Sequence, residues 1–363
     1  MIAVYYLLGL FLYLFGILEI YLTKSADRKI LYLIALLVFI GFVGLKIKGG
    51  TDFESYEYIF YSIDAGTELS SGLLEPIWVL LIFLVRVVGG VFFIFHFIVA
   101  FINLSIKITL FRKLTPYLFP ALLIYLVGLF FERDNDGIRQ GLSIAFCFLS
   151  IPYVLTKNKL PFFICNIIAI FIHYSSAVFL LCYFFPKIRW SDRTVFIIVC
   201  LSFIFPFTGI SVSDLLMSLL FVPAVITKLD AYSESSLYSI NMGINIGIVF
   251  RFIILVLFIY YHRSLSIKAD LYYLLRNGFA LAIVLSLVFN NFAILAHRLP
   301  YAFREFQIFI VPYFLTVAVG KGNRIIILTF TFIYTLLLLY RALIGENASY
   351  YIYDNLLFHL FDK

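Results

Sequence analysis

Charged side chains are scarce in this sequence. Only 13% of its 363 residues are Asp, Glu, Lys or Arg, about half of the ~25% that a soluble domain carries. Hydrophobic residues make up 64% of the chain and the mean hydropathy is +1.06. A folded chain of this composition has too little polar surface to face water. The composition excludes a soluble enzyme, a nucleic-acid-binding domain and a disordered chain, and it indicates a polytopic membrane protein.

Cysteine is also rare, and its placement excludes two further classes. The chain has four cysteines, all inside apolar runs and none in a C-x-x-C spacing: Cys147, Cys165, Cys182 and Cys200. This pattern excludes a secreted disulfide scaffold and predicts no metal site, so we expect small buried side chains. The first 22 residues lack both a basic start and a small-residue cleavage site, which predicts a retained first span and not a signal peptide.

Long apolar runs, by contrast, are abundant. About 20 apolar residues cross a bilayer core of about 30 Å. Ten runs are candidates: 2–22, 29–47, 91–111, 115–131, 138–156, 194–210, 243–261, 272–293, 305–320 and 324–344. Two more are ambiguous, because 75–89 is short and carries Arg86, and 160–185 is too long for one upright span.

Positive charge predicts which loops share a side, because cytoplasmic loops accumulate Lys and Arg. Fifteen basic residues fall in six places: 23–29, the stretch with Lys107, Arg112 and Lys113, 157–159, 186–193, 262–268 and 320–324. All six share the cytoplasmic side only if 75–89 is re-entrant or interfacial and 160–185 crosses twice, with two short helices meeting at His173. We therefore predict an all-α fold of about twelve crossings with both termini outside, forming a single transmembrane domain over 1–363.

Four loops are then expected on the outer face: 48–74, 132–140, 211–242 and 296–305. Phe53, Tyr56, Phe60 and Ile63 recur at helical spacing, which predicts a helix lying on the outer membrane interface.

The densest polar stretch is ERDNDGIRQ at 132–140. Five charges between two spans are usually those of a solvated turn, which is one of two equal interpretations of its acids; the other is a functional site. Arg139 and Gln140 differ, because they continue into an apolar run and so begin a span from the outer side. A helix N-terminus beside a guanidinium suits phosphate or pyrophosphate. Arg139 is therefore the main anion candidate, and Arg133 in the same turn is another.

His173 lies in AIFIHYSSAVFLL, where one apolar run ends and another begins. A lone histidine in such a run is more often structural. Its position at the break and the titration of imidazole near neutrality make it equally a candidate general base.

Three further arginines lie in or beside apolar runs of the second half of the chain. Arg251 is near the middle of 243–261, where the alternative role is a buried pair with a carboxylate of another helix. Arg298 and Arg304 flank the outer start of 305–320, where snorkelling to the headgroups is the alternative. Several such arginines together favour an anionic ligand reached from outside.

Asp52, Tyr56 and Glu75 form a last outer group. An ordinary turn, a helix start and an aromatic belt would account for them. Carboxylates among aromatic rings could instead hold sugar hydroxyls and stack on sugar faces, so these three are candidate sugar contacts.

The order of motifs resembles that of the EpsG-like branch of the Wzy polysaccharide polymerases. The matching stretches are GLKIKGGTDFESY (44–56), EPIW (75–78), FRK (111–113), IRQGLSIA (138–145), KNK (157–159) and FIHYSSAVF (171–179). They cover roughly 30–185. Two positions depart from the pattern, since Lys46 stands where arginine is common and Gly141 where a larger apolar residue is common.

The resemblance implies a multi-span glycosyltransferase of the GT-C type in a bacterial inner membrane, active at the periplasmic face. Such enzymes polymerise O-antigen, capsule or exopolysaccharide. They move a glycan chain from undecaprenyl pyrophosphate onto a lipid-linked repeat unit, without cofactor and without metal. Membrane lipid and a chain-length regulator are further expected partners, and nucleic acid is not. The implied roles are pyrophosphate binding for Arg139, Arg251 and Arg298, acceptor activation for His173, and sugar contact for Asp52 and Glu75.

Two other functions remain open. An O-antigen ligase would use the same residues, and the motif order favours the polymerase. A flippase or transporter of lipid-linked sugar needs a cavity that opens to both faces, whereas the candidate groups are concentrated on the predicted outer half.

Overall fold

The computed structural model describes residues 2–22, 24–64, 74–208, 243–344, 349 and 351–359. Most of them are helical. In chain order the α-helices are α1 (Ala3–Tyr21), α2 (Ser25–Gly44), α3 (Phe53–Ser62), α4 (Pro76–Val87), α5 (Phe92–Leu114), α6 (Leu118–Tyr125), α7 (Ile138–Leu155), α8 (Lys159–Ile172), α9 (Asp192–Ser202), α10 (Ile246–Tyr260), α11 (Ala269–Val288), α12 (Ala293–Arg298), α13 (Tyr301–Arg304), α14 (Gln307–Val317) and α15 (Gly320–Leu343). A π-helix, Leu126–Asp134, continues α6, and a 3₁₀ helix, Tyr174–Tyr183, follows α8.

Two short strands join an early and a late segment of the chain. Strand β1 (Lys46–Lys48) pairs antiparallel with β2 (Asp354–Asn355), and Lys46 lies opposite Asn355. The predicted span 29–47 was therefore wrong at its end, because the helix stops at Gly44 and Lys46 lies on a strand.

Five helices in the described residues are long and apolar enough to cross a membrane: α1, α5, α7, α11 and α15. Three shorter apolar helices, α4, α8 and α10, accompany them. Helix α4 has 12 residues and rises about 18 Å, less than the bilayer core. The chain is thus an all-α, multi-pass membrane protein. The count of twelve crossings stays a prediction, and the predicted outer loop 211–242 lies outside the described residues.

The chain divides into two compact units. Unit 1 comprises Met1–Ser150, Ile164–Tyr174 and Ile308–Lys363, and unit 2 comprises Ile151–Phe163 and Ser175–Gln307. The single domain expected from the sequence remains untested, and the two units are described one at a time.

Unit 1 has a basic end and a polar end. Helix α1 packs against α6 and α15, and α2 packs against α5. At the basic end the guanidinium carbons of Arg28 and Arg324 lie 5.8 and 6.0 Å from the ring of Tyr117. At the polar end Tyr5 bonds Asn135. Tyr5 and Tyr21 are sixteen residues apart on α1, about 24 Å. Two of the basic loops predicted to be cytoplasmic therefore meet at one end.

Unit 2 is built around α11, which contacts both α9 and α10. The Asp192 carboxylate, at the start of α9, accepts hydrogen bonds from Arg276 (2.5 Å), Tyr272 (2.8 Å) and His262 (3.2 Å). Burial alone would raise the pKa of Asp192, but these bonds outweigh it and hold the pKa below its usual value. The basic loops 186–193 and 262–268 therefore also meet.

Several local predictions are confirmed. The helix expected from the spacing of Phe53, Tyr56 and Phe60 is present as α3, and Phe60 and Ile63 belong to a buried cluster with Trp78. Its place on the membrane interface stays a prediction. The run 160–185 breaks at His173, between α8 and the 3₁₀ helix. Three of the four cysteines are buried, and Cys200 is half-buried.

Candidate functional site

The polar end of unit 1 collects segments that are far apart in sequence. It is formed by β1, the loop before α3, the residue before α4, the turn 132–140 and the residue after His173. Two of these five segments, the loop before α3 and the turn 132–140, belong to the predicted outer loops 48–74 and 132–140. A π-helix, Leu126–Asp134, runs into the start of this turn. The π-helix is a rare form that is frequent at functional sites.

Asp134 ends this π-helix and lies at the centre of a sealed ion pair. Its carboxylate is 2.5 Å from Lys107 Nζ, and both side chains are 0% exposed. Asn103 Nδ2 donates to it at 2.8 Å, and the Tyr125 hydroxyl donates to its other oxygen. Gly141 makes room, because a Cβ there would lie 2.4 Å from Asp134 Oδ1.

Asp136 is held by the glycine turn before α3. Thr51 Oγ1 and the backbone N–H of Asp52 donate to its carboxylate at 2.7 and 2.8 Å. Gly50 adopts φ +98°, and a Cβ there would lie 2.6 Å from Asp136 Oδ1. The predicted solvated turn is thus wrong for both acids, since Asp134 and Asp136 are buried and hydrogen-bonded.

Lys46 anchors the same turn from the strand. Its ammonium donates to the backbone carbonyl of Asn135 and lies 5.0 Å from the Phe53 ring centre. Asn135 Nδ2 in turn donates to the Tyr5 hydroxyl at 3.0 Å. The lysine that departs from the family pattern is therefore a buried structural cation.

The Glu75 carboxylate accepts hydrogen bonds from Arg139 and from Tyr174, the residue that follows His173. Its Oε2 accepts from Arg139 Nη1 at 2.9 Å, and its Oε1 accepts from the backbone N–H of Tyr174 at 3.4 Å. Glu75 is 4% exposed at its side chain and Arg139 is 23% exposed. The Arg139 side chain and the backbone of Tyr174, the residue after His173, thus meet at the same carboxylate.

Tyr56 lies beside the start of α7. Its hydroxyl accepts from the backbone N–H of Arg139, and its ring is edge-on to Trp78 at 5.7 Å. Burial raises the pKa of Tyr56 to about 12, although the nearby Arg139 charge works in the opposite direction. The hydroxyl therefore stays protonated near neutrality, which suits a hydrogen-bonding role and excludes that of a base. The expected start of a helix is confirmed, since α7 begins at Ile138. One N–H group of its first turn, that of Arg139, is already bound by the Tyr56 hydroxyl.

His173 is buried and ends α8, since its backbone N–H closes the last turn on the Ala169 carbonyl at 2.9 Å. The chain turns there into the 3₁₀ helix. The histidine thus lies at a helix break, as its sequence position predicted.

The other candidate arginines belong to unit 2. Arg304 is buried and bonds Glu305 at 2.9 Å and His297 at 3.1 Å. The Arg251 guanidinium reaches back along α10, about one turn, towards Gly247. Arg298 ends the short helix α12 and is half-buried. Arg133, in unit 1, is half-buried and lies against Gly137.

Sequence reasoning missed Lys107 and Asp134. Lys107 was counted among the cations of the cytoplasmic loops, but its charge is buried against Asp134, and the side of the membrane on which it lies stays a prediction. A signal was available, since Lys107 lies within the apolar run 91–111 several residues before Arg112. A cation there needs a partner. His96 was also overlooked, and its buried ring packs 5.4 Å from Phe53.

Comparison with family models gives one finding. The model described as the EpsG family matches residues 29–355. No curated protein and no solved structure matches the chain.

Proposed function

The chain belongs to the EpsG family, and from this membership we propose that it is a polysaccharide polymerase that extends a glycan on a lipid pyrophosphate carrier. The observation that carries the proposal is the meeting of Arg139, Glu75 and the residue after His173 at the polar end of unit 1. We assign this end to the periplasmic side of a bacterial inner membrane, because the basic loops meet at the opposite end.

The reaction is a transfer at an anomeric carbon. A hydroxyl of the acceptor, a lipid-linked repeat unit, attacks the anomeric carbon of the glycan held on undecaprenyl pyrophosphate. The bond from that carbon to the pyrophosphate oxygen breaks, and its electron pair leaves with the pyrophosphate. His173 takes the proton from the attacking hydroxyl. Atoms and charge balance without a cofactor, and the transfer is of the GT-C type and metal-independent.

Arg139 supplies the charge that the leaving group needs. A guanidinium presents a planar fork to phosphate oxygens, and a fixed cation at the developing negative charge lowers the barrier more than most other devices. With 23% of its side chain exposed, Arg139 can exchange part of its contact with Glu75 for a ligand. Arg133, Arg251, Arg298 and Arg304 are secondary candidates for the pyrophosphate, and the pairing of Arg304 with Glu305 makes it the weakest of them.

Other side chains at the same end can form hydrogen bonds with the sugars. The protonated hydroxyl of Tyr56 lies next to Arg139. Asp52 is held in the turn that binds Asp136. Together with Glu75 they supply hydroxyl and carboxylate groups, which can hydrogen-bond sugar hydroxyls. Nearby aromatic rings can stack on sugar faces.

The test is polymerisation by the purified protein. The substrate is the undecaprenyl-pyrophosphate-linked repeat unit isolated from the native host membrane, and the product is resolved as a ladder on a gel. We expect a ladder that persists in EDTA. Arg139→Gln should lower its rate by about 10²–10³-fold and His173→Gln by about 10²–10⁴-fold, while Arg139→Lys keeps the charge and loses less.

The matched control is Lys113→Gln, which removes an exposed charge in the last turn of α5 and should leave the ladder intact. Each variant is compared at equal amounts of monodisperse protein. A wild-type rate in Arg139→Gln would overturn its role. No extension by the wild type, together with flipping of the lipid-linked unit in vesicles, would overturn the polymerase in favour of a transporter.

A further inference from the structure

A basic cavity lies among three loops of unit 2. Its volume is about 240 Å³, and its lining includes Lys157, Lys187, Arg189 and Asp270 together with Tyr183. These residues come from, or adjoin, three of the loops that the charge pattern assigns to the cytoplasmic side. The cavity is therefore a place where separate basic loops form one surface.

The charges of the cavity do not cancel. Arg189 Nη2 is 2.8 Å from the carboxylate of Asp270, which neutralises that pair. Lys157 and Lys187 remain as a surplus of two cations. Lys187 Nζ lies 4.1 Å above the ring of Tyr183. Lys157 adopts φ +59°, a left-handed backbone that favours glycine, yet lysine occupies the position. The cavity thus has a net charge that suits an anion.

An apolar groove shares the same segment of chain. It has a volume of about 400 Å³ and is lined by side chains that include Leu181, Phe184, Ile188, Trp190 and Leu281. Several are open to the surroundings, with Phe184 52% and Trp190 57% exposed. The main chain beneath them is fixed, because Asn277 Nδ2 donates to the carbonyls of Phe185 and Ile188, each at 2.8 Å. The groove is a fixed feature with an unfilled apolar surface.

Helix α11 relates the groove to the cavity. Asp270 lines the cavity, whereas Asn277, Leu281 and Val284 line the groove. Their spacings of seven, four and three residues place them on one face of the helix. From Asp270 to Val284 the helix rises about 21 Å, which is more than the ~15 Å hydrocarbon depth of one leaflet. A polar site at the helix start is therefore followed along the same face by an apolar one.

We propose that the cavity and the groove bind one anionic glycerophospholipid, with its phosphodiester at Lys157 and Lys187 and an acyl chain along Phe184, Trp190 and Leu281. The cationic surplus selects an anionic headgroup over a zwitterionic one. The groove requires the chain, so free phosphate is not the ligand. Basic pockets beside membrane-spanning helices on the cytoplasmic side bind anionic lipids by the same physics.

Trp190 provides a direct probe. The chain has two tryptophans, and the other, Trp78, is 1% exposed and belongs to unit 1. Full-length protein is reconstituted in phosphatidylcholine vesicles with increasing fractions of chain-brominated phosphatidylglycerol or chain-brominated phosphatidylcholine. The difference between the wild type and Trp190→Phe isolates quenching of Trp190. We expect quenching that saturates at low phosphatidylglycerol fraction and a preference over phosphatidylcholine of roughly 30-fold, about fivefold per surplus lysine.

Two substitutions test the charge. Lys157→Gly suits its left-handed backbone, so it removes the charge without straining the fold, and Lys187→Gln removes the other. Together they should reduce the preference to near unity, whereas Lys159→Gln, an exposed lysine outside the cavity, should keep it. Equal quenching by the two brominated lipids, or an unchanged preference in the double variant, would overturn the proposal. Loss of quenching on addition of inorganic phosphate would assign the cavity to a free anion instead.

Discussion

Two acid–base pairs of unit 1 have the same chemistry and opposite surroundings. Lys107 and Asp134 are 2.5 Å apart with side chains 0% exposed. Glu75 and Arg139 are 2.9 Å apart, but the Arg139 side chain is 23% exposed. Asp134 and Arg139 are five positions apart in the sequence. The turn 132–140 therefore contributes one residue to a buried pair and another to a partly exposed pair.

The difference separates a pair that can only have a structural role from a pair that a ligand can reach. The Asp134 carboxylate accepts from Lys107, Asn103 and Tyr125, so its hydrogen-bonding capacity is used up. Glu75 makes one good bond to Arg139 and one long bond to the Tyr174 backbone. A pair with an open side and a weak second contact can exchange partners with a ligand, whereas a sealed and saturated pair fixes the helices around it.

The largest expected effect comes from breaking the sealed pair. Asp134→Asn keeps the shape of the side chain but leaves Lys107 as a buried cation without a counter-charge. We expect the free energy of unfolding to fall by about 3–5 kcal/mol, measured as the melting temperature in detergent and the yield of monodisperse protein. The double variant Lys107→Met with Asp134→Leu should recover part of the loss, because neither charge remains. A wild-type melting temperature for Asp134→Asn would contradict a structural role for the pair.

A smaller effect is expected from filling the space between Gly141 and the Asp134 carboxylate. Gly141→Ala puts a Cβ 2.4 Å from Asp134 Oδ1 and should cost about 1–3 kcal/mol. Gly41→Ala is the matched control, since this helical glycine of α2 has nothing within 4 Å of its Cβ position, and the change should stabilise by about 0.5–1 kcal/mol. Opposite shifts in melting temperature are the expected result. Equal shifts would mean that Asp134 does not hold the start of α7 in place.

The smallest effect on stability is expected at the open pair. Glu75→Gln removes the charge partner of Arg139 but keeps a hydrogen-bonding side chain, so the free energy of unfolding should change by at most about 1 kcal/mol. Polymerisation should nevertheless fall by about 10–100-fold, because Arg139 loses its fixed position. A melting temperature as low as that of Asp134→Asn would show that the two pairs do not differ in the way proposed.

The sequence predicted the fold better than it predicted the pairings. The helix start at Ile138, the break at His173 and helix α3 all followed from local patterns of apolar and polar residues. The candidates Arg139, Tyr56 and Glu75 followed from the same patterns. The burial of Asp134 and Asp136 did not, because five charges in nine residues are ordinarily solvated, and only the glycine turn at 49–52 and Lys107 from α5 take these two out of water.

What the sequence by itself determined is the class of the protein. Scarce charge and long apolar runs require a membrane protein of helices, since only helices and closed barrels satisfy backbone hydrogen bonds in lipid. The tertiary structure decided which charges meet. Glu75 and Arg139 are 64 positions apart and Lys107 and Asp134 are 27 apart, and no local pattern encodes those distances. Helix packing alone brings them together, and it leaves one pair sealed and the other open.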